Sequence, residues 1–186
     1  NTTASNNTAV GSSALTANTT GTLNVAVGTS ALVANTTASY STALGYAALS
    51  TNITGAQNTA VGYSALTLAT GADNTAVGSQ ALASVAAGTF NTALGRSAGQ
   101  GLTTGNYNTC IGGLAGDAMT TGSSNVFLGY GTAGDAIVTG SENVAIGIGS
   151  SNPLTSGASN VTIGADAGSG LSSGSNNLFL GHDAGR

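Results

Sequence analysis

One phrase returns along the whole chain: a polar residue, a β-branched or aliphatic residue, a small residue, an aliphatic residue and glycine. It begins at Asn7, Asn24, Ser41, Asn58, Asn74, Asn91, Asn108, Asn125, Asn143, Asn160 and Asn177. Eight of the ten spacings are 17 residues, one is 16 and one is 18. A fixed short period means that each repeat is one coil of a solenoid, with its apolar surface covered by the coils before and after it. Two helices with their turns do not fit in so few residues. The period therefore predicts an all-β parallel β-solenoid (a β-roll) of about eleven 17-residue coils, each made of two short strands and two turns, forming a single domain over 1–186. Almost no helix is expected, because no stretch keeps a helical period free of glycine.

The columns of the repeat refine this. The second position is Thr, Val or Leu and the fourth is Val, Leu or Ile, so both lie on one face of a strand. The third points the other way and is Ala in seven copies, with Cys110, Phe127, Thr162 and Phe179 as the exceptions. Both faces are thus largely apolar, as in buried parallel strands. The coil's own second strand covers one face and the other needs a partner. After the core glycine, Leu15, Leu32, Leu49, Leu66 and Leu82 share a column, which later changes to Gly99, Gly116, Gly168 and Gly185. A turn glycine, replaced once by Ala38, precedes each later core by three residues. Coils stacked at strand spacing, about 4.8 Å, give a rod of roughly 50 Å. Stacked amides in the column Asn24, Asn58, Asn74, Asn91, Asn108, Asn125, Asn143, Asn160 and Asn177 can hydrogen-bond along such a rod and hold one corner.

The phrases "NTAVGYSAL", "NTALG" and "NVAIG", with "TTG" ahead of the next Asn, resemble the head repeats of trimeric autotransporter adhesins. They also resemble the repeat tracts of phage and bacterial tail-fibre-like proteins, many of which end in a self-cleaving intramolecular chaperone. The resemblance spans essentially the whole chain. It implies a left-handed β-roll, three chains packed side by side, a place outside the cell on a cell surface or a virion, and a role in attachment to a host or cell surface. A homotrimer would supply the missing cover for the second apolar face. Phe127 and Phe179, which enlarge an alanine column, are expected inside the coil or at the trimer axis.

Composition excludes several other functions. Only eight residues are charged, the formal net charge is -4 and there is no lysine, so no basic patch exists for nucleic acid or for an anionic membrane. No signal peptide or transmembrane run is read, so the chain is expected to be soluble, with no membrane insertion. No enzyme chemistry and no cofactor are expected. The lone Cys110 replaces a small core residue and reads as a buried hydrophobe, and the lone His182 lies four repeats away. Asp117 and Asp135, in "AGDAM" and "AGDAI", read as solvated turn carboxylates, or as a stacked acidic pair able to hold a cation. Asn-x-Thr triplets at Asn18–Thr20, Asn35–Thr37 and Asn52–Thr54 are expected by chance in a chain this rich in Asn and Thr.

What remains is recognition or scaffolding. Tyr46, Tyr63 and Tyr130 follow the core glycine and are candidates to receive a sugar ring, so a glycan or protein receptor is the expected partner. A plain structural spacer is an alternative. So is an ice-binding solenoid using the hydroxyl column Thr20, Thr37, Thr54, Thr70, Thr104, Thr121, Thr139, Ser156 and Ser173, which breaks at Ala87.

Overall fold

The computed structural model describes residues 3–136 and 138–186. Its regular elements are eleven three-residue strands: β1 (Thr8–Val10), β2 (Val25–Val27), β3 (Thr42–Leu44), β4 (Thr59–Val61), β5 (Thr75–Val77), β6 (Thr92–Leu94), β7 (Thr109–Ile111), β8 (Val126–Leu128), β9 (Val144–Ile146), β10 (Val161–Ile163) and β11 (Leu178–Leu180). They form one sheet in chain order, each parallel to the next. The register is in step, as in Thr42↔Thr59, Ala43↔Ala60 and Leu44↔Val61. It survives the 16-residue spacing, where Ala60 pairs with Ala76, and the 18-residue spacing, where Phe127 pairs with Ala145. The chain is thus an all-β parallel solenoid of coils of about 17 residues. The described residues contain no helix, and so none long and apolar enough to cross a membrane.

The expected second strand is absent among the described residues. The far side of each coil is a string of turns, with a single bridge between Met119 and Val138. The reason lies in the backbone. Twenty-seven non-glycine residues have φ between 48° and 62°. Most coils place one just before the polar residue of the core and two more, a residue apart, after its glycine: Tyr40, Ala47 and Leu49 are one such set. A left-handed residue at every second position reverses the chain too often for a strand to form. Hydrogen bonds to the next coil continue around the turns all the same, as from Leu32 N–H to Ala48 O and from Leu49 N–H to Ala65 O, both 3.0 Å. The neighbouring coil therefore satisfies the backbone that a strand would otherwise pair.

The core is narrow. The middle residue of each strand points inward, and Ala26, Ala43, Ala60, Ala76 and Ala145 are fully buried beside Leu32, Leu49 and Leu66. A second inward column holds Ala69, Val85, Leu102, Met119, Val138, Leu154 and Leu171, and in the first coils Asn18, Asn35 and Asn52. The sequon amides are consumed there. Nδ2 of Asn18 donates to Gly21 O at 2.9 Å, that of Asn35 to Ala38 O at 3.1 Å and that of Asn52 to Gly55 O at 2.8 Å, so the folded coil presents none of them for glycosylation.

The change from Leu to Gly in the later coils is a volume exchange. A Cβ at Gly116 would lie 2.8 Å from Phe127 Cδ2 and 3.1 Å from Cys110 Sγ, and a Cβ at Gly185 would lie 2.6 Å from the ring of Phe179. Where the turn gives up its leucine, the strand enlarges its alanine. Glycine also suits the left-handed backbone at that point, φ 59° at Gly116. Phe127 is fully buried inside the coil, and Phe179 packs half-buried against the core of the last coil.

The asparagine column is a continuous corner. Asn74, Asn91, Asn108, Asn125, Asn143 and Asn160 are buried. Oδ1 of Asn91 accepts the backbone N–H of Asn108 at 3.0 Å, and Oδ1 of Asn108 accepts that of Asn125 at 3.0 Å. Nδ2 of Asn108 donates to Gly122 O at 2.9 Å and to Asn91 Oδ1 at 3.1 Å. Most of the hold is thus side chain to backbone. Asn24, Asn58 and Asn177 follow the same plan, Asn177 half-buried, and Ser41 Oγ takes over where the amide is missing by accepting Asn58 N–H at 3.3 Å.

Candidate functional site

With alanine turned inward, the second and fourth core positions face outward. Val10 is 57% exposed, Leu44 46%, Leu94 49%, Leu128 40% and Leu180 61%. The aliphatic side of the sheet therefore runs along every coil with nothing over it. Single exposed apolar residues are ordinary, but a continuous row marks a contact surface.

Aromatic residues stand on both sides of this row. Tyr46, Tyr63 and Tyr130, just after the core glycine, are all exposed. Tyr46 and Tyr63 stack with centroids 5.5 Å apart and planes 9° from parallel. Tyr130 has no aromatic neighbour among the described ring pairs and lies beside a separate hollow. The column before the strand adds Tyr40, Phe90 and Tyr107, also exposed, which the sequence reading missed. Phe90 and Tyr107 stack at 5.2 Å and 4°. Their signal was an aromatic next to the conserved-looking polar residue of the repeat, hidden because Leu23, Gln57 and Asp73 occupy the same column. Of five Tyr and three Phe, only Phe127 is fully buried, so the few aromatics of this chain are spent mainly on the surface.

The hydroxyl column Thr20, Thr37, Thr54, Thr104 and Thr121 is exposed, but it lies on a turn and not on a strand. The hydroxyls beside it are engaged in stacking: Thr19 donates to Thr36 O at 3.0 Å and Thr103 to Thr120 O at 3.0 Å.

The acidic pair is not stacked in register. Gly116 N–H bonds Thr132 O and Ala133 N–H bonds Ser150 O, which sets Gly134, not Asp135, against Asp117. The 18-residue coil carries its extra residue at this turn, and the offset follows from it. Asp135 instead meets Asn152, whose Nδ2 donates to Asp135 Oδ2 at 2.6 Å. Asp117 is partly buried and its pKa is raised above the usual carboxylate value, chiefly by that burial, with the Asp135 charge adding to it.

Two other groups bear on chemistry. Asp166, His182 and Asp183 bring one ligand atom each within 4.8 Å of one another, at the surface. That charge is already met locally, by His182 Nδ1 at 3.2 Å from Asp183 and Arg186 at 3.4 Å. Cys110 is buried and its thiol is pushed up to about 12 by desolvation. At pH 8 only about one thiol in ten thousand would be ionised. Iodoacetamide should therefore leave Cys110 unmodified in the folded chain and label it on unfolding, as read by mass spectrometry. Rapid labelling of the native protein would show that this core opens.

Comparison with protein-family models, with curated proteins and with solved structures returned no match.

Proposed function

We propose that the chain is a non-enzymatic segment of a fibre, the shaft or head of an adhesin or tail fibre, that works in attachment outside the cell, on a cell surface or a virion. Three copies pack side by side through their aliphatic strand faces, and exposed aromatics beside that face receive a surface glycan or protein receptor. The observation that carries this reading is the division of side chains. The core is built from Ala, Leu and Asn, while five tyrosines and Phe90 are placed outside. Stacked rings such as Tyr46–Tyr63 present broad apolar planes with polar tips, which suits a sugar ring.

The test is attachment by Tyr46→Ala/Tyr63→Ala and Phe90→Ala/Tyr107→Ala proteins. All four side chains are about half exposed or more, so the coil should keep its melting temperature. Binding to a glycan array or to whole cells should fall at least tenfold in one of the pairs. Attachment equal to wild type in both would leave the rod a plain spacer.

A further inference from the structure

The regular column of left-handed residues after the core glycine is interrupted once. Ser97, Leu114, Asp166 and Asp183 carry side chains there, but two successive coils have Gly131 and Gly149. Nothing lies within 4 Å of where a Cβ at Gly131 would project. The two missing side chains open a cavity of about 260 Å³, walled by Leu114, Tyr130 and Ile148 on its apolar side and by Asp117, Asp135 and Asn152 on its polar side.

The polar side is short of positive charge. Asp117 Oδ1 is shut off from solvent and has no hydrogen-bond partner. It lies 2.9 Å from where a Cβ at Gly134 would be, with the carbonyl oxygens of Leu114 and Gly131 at 3.1 and 3.3 Å from the same point. Acceptors therefore crowd this end of the cavity. The chain has two arginines and no lysine. Arg186 is paired with Asp183, and Arg96 is the weakest of the influences on Asp117. An unpartnered carboxylate oxygen beside a second carboxylate is costly unless a donor or a cation reaches it.

We propose that this cavity binds an alkyl primary ammonium, the ammonium group meeting the carboxylates of Asp117 and Asp135 and the alkyl stem lying against Leu114, Ile148 and the ring of Tyr130. A bare divalent ion fits less well, since hard cations want six to eight oxygen ligands and half of this wall is hydrocarbon. An aromatic ring beside the charge adds attraction for an organic cation. A polyhydroxylated guest would lose its hydroxyl hydration against Leu114 and Ile148 with no partner to replace it. Burial and the Asp135 charge both oppose ionised Asp117, and a bound cation relieves both. This inference does not depend on the attachment reading above.

The test is an NMR titration of the intact chain with n-butylammonium, following the Tyr130, Leu114 and Ile148 signals. Saturable shifts confined to these residues are expected. n-Butanol, glucosamine and calcium should each bind at least tenfold more weakly. Asp117→Asn should weaken n-butylammonium at least tenfold. Gly131→Leu should abolish binding with the coil intact, because Leu114 holds the same backbone conformation one coil earlier, φ 60° against 61°. Equal shifts with n-butanol would overturn the ionic part of the proposal, and tighter binding of glucosamine or calcium would overturn the alkyl part. Undiminished binding in the Gly131→Leu protein would place the guest elsewhere and refute the site.

Discussion

Phe127→Ala should destabilise the rod by about 3–5 kcal/mol, the range for removing a fully buried ring from a core that cannot close over the gap. The ring fills the place that leucine holds in earlier coils, so the loss is specific and repairable. Gly116→Leu alone should also be harmful, because its Cβ would stand 2.8 Å from the Phe127 ring. The double variant Phe127→Ala/Gly116→Leu recreates the pairing of the early coils, where Leu32 and Leu49 lie beside Ala26 and Ala43. Leucine accepts the required backbone, as Leu82 does at φ 48°. Urea unfolding of the double variant should return to within about 1.5 kcal/mol of wild type, as volume-conserving exchanges do. A double variant no more stable than Phe127→Ala would show that the two positions do not share one space.

The second large effect concerns assembly. Leu44→Glu/Leu94→Glu/Leu128→Glu changes three side chains that are 46%, 49% and 40% exposed in one chain. For a lone rod, such changes should alter stability by no more than about 0.5 kcal/mol each. In a trimer closed through these faces they bring charges together where water is excluded, and the assembly should come apart. A stable interface needs roughly 800 Å² from each partner, and a row running along every coil is of the right kind to provide it. Native mass spectrometry should find the wild type at three times the chain mass of 17.5 kDa and the triple variant at that mass alone, with unchanged circular dichroism. A wild-type monomer at micromolar concentration would defeat the side-by-side trimer.

Parallel in-register stacking explains what could be read from the sequence. It turns each column of the repeat into a row on the rod, so the alanine row and the asparagine corner are visible as columns before any coordinates exist. The far side was not legible. Leu32, Leu49 and Leu66 look like strand or helix residues, yet they sit at φ 49°, 52° and 49°. No local preference of leucine selects that region, and the hydrogen bonds of the adjacent coil impose it. The cavity at Gly131 was hidden for another reason. Asp117 and Asp135 match in their local letters, and only the extra residue in that coil, which the structure places at the turn, moves them out of step. The Phe127–Gly116 exchange escaped notice because the two columns read as independent until the core is seen to be shared.

The short coil after Asn58 and the long coil after Asn125 both change length between the leucine-or-glycine column and the turn glycine. Strand pairing passes through both without a slip. The sheet side therefore behaves as a ruled edge of constant pitch, while the turn side absorbs gains and losses of single residues. Variation in such a chain would be sorted by side. An indel leaves the spacing of the outward aromatics and aliphatics untouched but reshapes the turns, as the cavity at Gly131 illustrates. One molecule can thus hold its assembly surface fixed and still acquire new hollows on its back.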